Sequence, residues 1–163
     1  MTIFDSRWGT PFVARIEPAS GTSWVAMFAA GGLGSFRGAF ATPDPRSLVV
    51  VADGLAYLVD TERPSNSAAV IYDQVHQVVP CREPRLLLLV RFIDIVALGT
   101  AGVAWSTTRL CVDDLWVRRV ERHTIVCSCD NLGGTSTITL DAASGAQIDG
   151  TRLDSFWPPD AFA

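Results

Sequence analysis

The chain has 163 residues, of which 48% are hydrophobic and 18% charged, and its formal net charge is −4. This composition excludes a disordered tail, a collagenous or coiled-coil rod and a disulfide-dense mini-protein, and the length predicts one domain over residues 1–163. All 13 residues of the Lys+Arg count are arginines, which excludes Schiff-base lysines and lysine-dependent phosphate loops.

Short β-branched or aromatic runs, separated by Gly, Pro, Asp and Asn, follow one another from Phe12 onward. They predict an all-β domain, an antiparallel meander of about twelve short strands forming two packed sheets or a flattened propeller-like or barrel arrangement. The predicted strands are 12–17, 23–29, 36–40, 48–52, 55–60, 70–79, 86–98, 103–106, 110–112, 115–120, 124–129, 135–140 and 146–148.

Two acidic pairs predict hairpin turns. Asp53-Gly54 joins two apolar runs and supplies the positive φ angles that a two-residue type I′ turn requires. Asp113-Asp114 occupies an equivalent place in the second half. Because Asp tolerates the left-handed region less well than Gly, the second turn is expected to be more strained than the first.

A weak internal repeat appears when residues 45–51 are aligned with residues 84–90, an offset of 39 residues (84 minus 45). A period near 40 with four strands per period is typical of a propeller blade. Four such blades would leave nothing for closure of the ring, which favours two packed blade-like sheets or a flattened barrel.

Three stretches resemble an uncharacterised group of small bacterial proteins that are built from propeller-like β segments. These stretches are residues 8–12, residues 42–45 leading to 51–54, and residues 102–110 with Asp113. The resemblance implies the fold and no activity. This sequence has Asp113-Asp114 where the group would be expected to have Asp-Gly.

The densest polar cluster consists of Trp105, Ser106, Arg109, Asp113 and Asp114, all within ten residues, and its predicted site residues are Trp105, Arg109, Asp113 and Asp114. We expect it to bind a ligand: Arg109 would hold an anionic or carbonyl group, Trp105 would pack on an apolar ring, and an Asp would orient a donor. The alternative is structural, because Arg and Asp near a β-turn commonly pair with each other while Trp fills the core.

Other chemistry has weaker sequence support. Cys127 and Cys129, with His123 and Asp130, form a poor zinc set, so no metal site is predicted. No catalytic residue and no cofactor are predicted. Catalysis by a small hydrolase or lyase that uses aspartates with His76 or His123 is the alternative reading.

The sequence therefore predicts a non-enzymatic binding or interaction module for an unknown small molecule or protein. A second alternative is a protein that blocks a protein partner. The sequence pI of about 5.0 argues against nucleic acid. The apolar runs 24–30 and 86–90 favour a homo-oligomer, and the Pro/aromatic tail 154–163 is expected to dock on its own domain or on a neighbouring subunit.

The expected location is the cytoplasm, without contact to a membrane. Residues 1–8 lack the pattern of a secretory signal, and no uncharged apolar stretch is long enough to cross a bilayer. The four cysteines, at positions 81, 111, 127 and 129, are accordingly predicted to be buried, reduced thiols.

Overall fold

A computed structural model describes residues 10–19, 21–32, 34–63, 68–131 and 133–153 of the chain. The fold is all-β and antiparallel, as predicted. The strands are β1 (Phe12–Ile16), β2 (Trp24–Phe28), β3 (Gly38–Ala41), β4 (Ser47–Ala52), β5 (Leu55–Asp60), β6 (Ala68–Tyr72), β7 (Gln77–Cys81), β8 (Leu86–Val90), β9 (Ile95–Gly99), β10 (Gly102–Ser106), β11 (Asp113–Val120), β12 (Thr124–Asn131), β13 (Gly134–Asp141) and β14 (Gln147–Asp149). Within the described ranges no helix is long and apolar enough to cross a membrane.

The strands pair with their neighbours in sequence. β1 and β2 form a two-stranded sheet, and three four-stranded meanders follow with the orders β3-β4-β5-β6, β7-β8-β9-β10 and β11-β12-β13-β14. Among the residues that the structure describes, each sheet is open with two edge strands, and no closed barrel is formed. β4, β8 and β12 are each the second strand of a meander and recur at about 39 residues, so the sequence repeat marks equivalent strands.

The chain divides into two compact units, Met1–His76 and Gln77–Ala163. In the first unit, β1 and β2 supply Ile16 and Phe28 to a core that β4 and β5 complete with Val50, Tyr57 and Val59. The Tyr57 hydroxyl donates to the Ala29 carbonyl at 2.9 Å. The core of this unit therefore lies between the two-stranded sheet and the first meander.

In the second unit, one core joins the second and third meanders. Alternate residues of β12 point inward, and they meet inward side chains of β8, β9, β11 and β13. All five residues of β8 are buried. The apolar run 86–90 is therefore not exposed on the surface of the chain. In the other run, Val25 and Met27 are exposed.

The Asp53-Gly54 turn is confirmed. Asp53 and Gly54 have φ angles of 49° and 83°, as a type I′ turn requires, and β4 and β5 pair in register from Ser47↔Asp60 to Ala52↔Leu55. The Asp53 carboxylate accepts from the Arg37 guanidinium at 2.5 and 2.6 Å. This ion pair lowers the pKa of Asp53 and fixes the turn to the segment that precedes β3.

The predicted hairpin at Asp113-Asp114 is wrong. Residues 110–112 form no strand, because the Val112 amide donates to the Asn131 side chain at 3.2 Å. Asp113 and Asp114 instead begin β11 at a β-bulge, where the pairing with β12 shifts between Asp113 and Trp116. Asp114 has a φ of 53°, so the expected left-handed strain is present at a bulge rather than at a turn.

Two long predicted strands are each divided into two strands. Within 86–98, the Arg91 amide donates to the Asp94 carbonyl at 2.9 Å and the Arg91 guanidinium forms a bidentate ion pair with the Asp94 carboxylate. Within 70–79, Gln74 has a φ of 57° and ends the extended conformation. Both interruptions depend on polar residues inside apolar runs.

Gln77 joins the two meanders of the second unit. It is the first residue of β7, and its side-chain amide donates to the Val117 carbonyl at 3.0 Å and accepts from the Val117 amide at 2.9 Å. The Gln77 side chain thus makes the two hydrogen bonds to β11 that a neighbouring strand would otherwise make. Because Val117 is buried, the loss of these bonds leaves two backbone groups without a partner.

Replacing Gln77 by Ala is expected to lower the free energy of unfolding by about 1–3 kcal/mol. The matched control is Gln147→Ala, since the Gln147 amide donates to carbonyls that water can reach. Urea denaturation of both variants checks this. Equal losses for the two variants would contradict a joining role for Gln77.

Candidate functional site

A groove of about 480 Å³ lies in the second unit beside the segment that follows β10. One wall is formed by that segment, and the other by the connection between β13 and β14 together with the residues that follow β14. Its lining residues are Ser106, Thr107, Thr108, Arg109, Leu110, Ser144, Gly145, Ala146, Gln147, Arg152 and Leu153.

The first wall is held at both ends by bonds to the β9 region. Thr107 donates its amide to the Ile95 carbonyl at 2.9 Å, and its hydroxyl accepts from the Ile95 amide at 3.0 Å. The Leu110 amide donates to the Ile93 carbonyl at 2.8 Å, and the Leu110 side chain is buried. Thr108 and Arg109, which lie between these anchors, are exposed and line the groove.

Arg109 is held in place by its own backbone neighbourhood. Its guanidinium donates to the Cys111 carbonyl at 2.9 Å and to the Val112 carbonyl at 3.0 Å. A guanidinium has five N–H donors, so further donors remain for a ligand. The two carbonyl bonds reduce the side-chain entropy that an anion would otherwise have to remove on binding.

The second wall is a turn closed by Asp141. The Asp141 carboxylate accepts from the Ser144 amide at 2.8 Å and from the Ser144 hydroxyl at 2.6 Å. These bonds lower the pKa of Asp141, so the carboxylate is ionised at neutral pH. The Gly145 amide donates back to the Asp141 carbonyl at 2.8 Å, which completes the turn.

The end of the second wall is closed by Gln147 and Arg152. The Gln147 amide group donates to the carbonyls of Asp149, Gly150 and Thr151 at 3.1–3.4 Å. Arg152 donates to the Gln147 carbonyl at 3.2 Å. The chain therefore folds back after β14 and brings a second guanidinium to the groove.

The charge of the groove is opposite to that of the chain. Among the described residues, the lining includes two arginines and four hydroxyl side chains, those of Ser106, Thr107, Thr108 and Ser144, and no carboxylate. The chain as a whole has a net charge of −4. An anion would thus find two cations and several hydrogen-bond donors in this groove, although the chain as a whole is acidic.

The structure separates the four residues of the predicted site. Trp105 is buried in the core, and its indole nitrogen donates to the Ala142 carbonyl at 3.1 Å. Its ring packs against Gly145, where an added Cβ would lie 2.5 Å from the ring. Trp105 therefore supports the second wall from beneath, and Arg109 alone of the four lines the groove.

Asp113 and Asp114 lie at the exposed start of β11. Asp113 accepts from the Asp114 amide at 2.8 Å, and Asp114 accepts from the Trp116 indole nitrogen at 2.7 Å. The Arg118 guanidinium lies 5.8 Å from the centre of the Trp116 ring. The tryptophan that adjoins these aspartates on the sheet surface is thus Trp116 rather than Trp105.

Sequence reasoning missed Ser144, Gln147 and Arg152 as groove residues. They follow Arg109 by more than thirty residues, and they reach the groove because the turn between β13 and β14 packs against Trp105. The local signal was present, because residues 141–145 have the composition of a turn. That signal predicts the turn and carries no information about what lies opposite it.

The four cysteines are free and buried, as predicted. Cys127 and Cys129 both point inward from β12, whereas His123 and Asp130 are exposed. Burial raises the pKa of the Cys127 thiol to about 12. Across the described ranges, no group of three or more His, Cys, Asp or Glu side chains could hold a metal ion.

Gly145→Ala is expected to destabilise the protein more than Gly102→Ala does. Both glycines have positive φ angles, 73° and 104°, so both variants incur backbone strain of about 1–2 kcal/mol. Only the Gly145 variant also meets the Trp105 ring, since an added Cβ at Gly102 has no atom within 4 Å. Overpacking typically adds about 1–3 kcal/mol. Denaturation followed by tryptophan fluorescence measures the difference, and equal effects would contradict the Trp105 contact.

Comparisons of the chain with protein-family models, with curated proteins and with solved structures found no match. The resemblance to small bacterial proteins with propeller-like segments therefore stays a prediction.

Proposed function

We propose that the chain is a non-enzymatic binding module and that the groove beside β10 binds a small anionic ligand. The observation that carries this proposal is the composition of the groove: Arg109 and Arg152 line it together with hydroxyl groups, and the lining residues that the structure describes include no carboxylate. Arginine is the side chain best suited to planar, bidentate recognition of carboxylate and phosphate groups.

The two arginines have different roles in this proposal. The Arg109 guanidinium is oriented by the Cys111 and Val112 carbonyls and presents its remaining donors to the ligand. Arg152 supplies a second positive charge from the other wall. The hydroxyl of Thr108 adds a donor from the first wall, whereas the Ser144 hydroxyl already donates to Asp141 and holds the second wall in place.

Arg109 keeps the ligand-binding role that the sequence predicts, whereas Trp105, Asp113 and Asp114 have other roles. Trp105 maintains the groove through its contacts with Ala142 and Gly145, instead of stacking on a ligand. Asp113 and Asp114 stabilise the bulge of β11 and take no part in anion binding. An acidic pair beside the ligand would oppose the charge that the arginines provide.

The proposed location is the cytoplasm, where four buried free thiols are stable in a reducing environment.

Self-association is part of the proposal as well. The exposed Val25 and Met27 on β2 support it, and sedimentation velocity tests it.

The test is thermal unfolding with inorganic pyrophosphate or citrate, each compared with sodium chloride at equal ionic strength. A ligand at 100 times its Kd stabilises the native state by about 2.7 kcal/mol, so at least one of the two anions should raise the unfolding midpoint. Arg109→Gln and Arg152→Gln should each remove this increase.

The control is Arg119→Gln, which makes the same charge change on β11 where Arg119 pairs with Glu121 at 2.9 Å. It should keep the increase in midpoint. If neither anion stabilises the wild-type protein beyond sodium chloride, or if Arg119→Gln removes the effect equally, the proposed function is wrong.

A further inference from the structure

The hairpin of β1 and β2 has an exposed face that is mostly apolar. Of the six exposed large hydrophobic side chains in the described ranges, three lie on this hairpin: Val13, Val25 and Met27, which are 55%, 64% and 48% exposed. Val13 pairs with Met27 and Arg15 pairs with Val25, so these four side chains point to one face. The opposite face packs into the core of the first unit. The exposed side of β2 is thus apolar, whereas that of β1 carries a charge.

The second edge of β2 offers its backbone to a further strand. In the described part of the chain, β2 pairs with β1 alone, and the two form a sheet of two strands where each meander has four. The five residues of β2, Trp24–Phe28, include no charge, no proline and no glycine, and their pairing with β1 is regular throughout. A regular, uncharged strand edge is a template for pairing with another chain.

The edge strands of the three meanders differ from β2. The pairing of β6, β10, β11 and β14 with the neighbouring strand is interrupted by a register shift. β7 contains Pro80, which has no N–H to donate, and β3 has only four residues and begins with Gly38. Bulges, prolines, short strands and charges all hinder pairing between the sheet edges of two molecules, and β1 has such a charge at Arg15. Among the edge strands in the described ranges, β2 alone lacks every one of these features.

We propose that β2 pairs antiparallel with β2 of a second copy of this chain, about a two-fold axis at Ala26. In this register Val25 lies opposite the partner's Met27 on the exposed face, and Trp24 lies opposite the partner's Phe28 on the other face. The resulting sheet has the order β1-β2-β2-β1 and four strands, as each meander has. This inference rests on the self-association in the proposed function and assigns its interface.

A second copy suits this edge because the edge is complementary to itself. Val25 and Met27 lie on one face at equal distances from Ala26, so the two-fold axis exchanges them and one register forms both apolar pairs. The same operation on β1 would place Val13 opposite the partner's Arg15, an apolar side chain against a charged one. The symmetry of the β2 sequence therefore selects β2 as the strand that pairs and Ala26 as its centre.

Sedimentation velocity from about 1 μM to about 1 mM protein tests the edge, because a small interface associates in this range. The wild-type chain should change from monomer to dimer as its concentration rises. Met27→Lys should raise the dimer Kd by at least about tenfold, because both apolar pairs across the axis are lost and a charge is placed on the edge strand. The matched control is Val13→Lys, which makes the same change opposite Met27 but on the strand away from the partner, and it should leave the Kd unchanged.

The register is tested by oxidising an equal mixture of the Val25→Cys and Met27→Cys proteins. In the proposed register these positions lie opposite each other across the axis, with Cα atoms about 4.5–5.5 Å apart, which a disulfide can span. In either variant alone, the introduced cysteines are diagonal neighbours about 7–8 Å apart. The mixture should therefore form a covalent dimer at least about tenfold faster than either variant alone. The four native cysteines are buried and free in both variants' parent chain.

Three results would overturn the inference. Equal weakening of the dimer by Val13→Lys and Met27→Lys would make the exposed face, rather than the β2 edge, the interface. Equal cross-linking in the mixture and in the single variants would contradict the register. A wild-type chain that stays monomeric throughout would contradict both the inference and self-association, and that measurement needs no substitution. Anion binding by the groove is measured separately and should be the same in Met27→Lys as in the wild-type chain, so its loss in all proteins would contradict the proposed groove function alone.

Discussion

The groove depends on one contact, between the Trp105 ring and the backbone of the turn after β13. Trp105 donates to the Ala142 carbonyl, and its ring lies against Gly145, where no side chain fits. This contact fixes the turn after β13 to the end of β10, although the two belong to different meanders. Both walls of the groove are continuous with these elements, so their separation is set by a buried aromatic ring.

The second meander and the third are also joined by Gln77, which takes the place of a strand partner at Val117. A neutral amide suits this position because it offers one donor and one acceptor, as a peptide group does. The buried side chains of the second unit then pack around this junction without unpaired backbone groups at Val117. The two meanders that support the groove are thus held together by the hydrogen bonds between Gln77 and Val117 as well as by buried apolar side chains.

The chemistry of the second unit is concentrated in residues 107–112, which lie outside the sheets. Thr107 and Leu110 anchor this segment, Arg109 faces the groove and Cys111 faces the core. In a regular strand, residues two apart such as Arg109 and Cys111 would point to the same face. A short irregular segment held at defined points can present a cation to solvent and a thiol to the interior within three residues.

The sequence by itself determined most of the strands, the Asp53-Gly54 turn and the repeated meander, because alternation and turn chemistry act between residues that are close along the chain. It also identified Arg109 as a ligand-binding candidate. Tertiary structure alone placed Trp105 in the core, made Asp113-Asp114 a bulge, and brought Arg152 to the groove. These outcomes depend on which side chains meet across different sheets, and that pairing is set by the packing of the whole unit rather than by any local pattern.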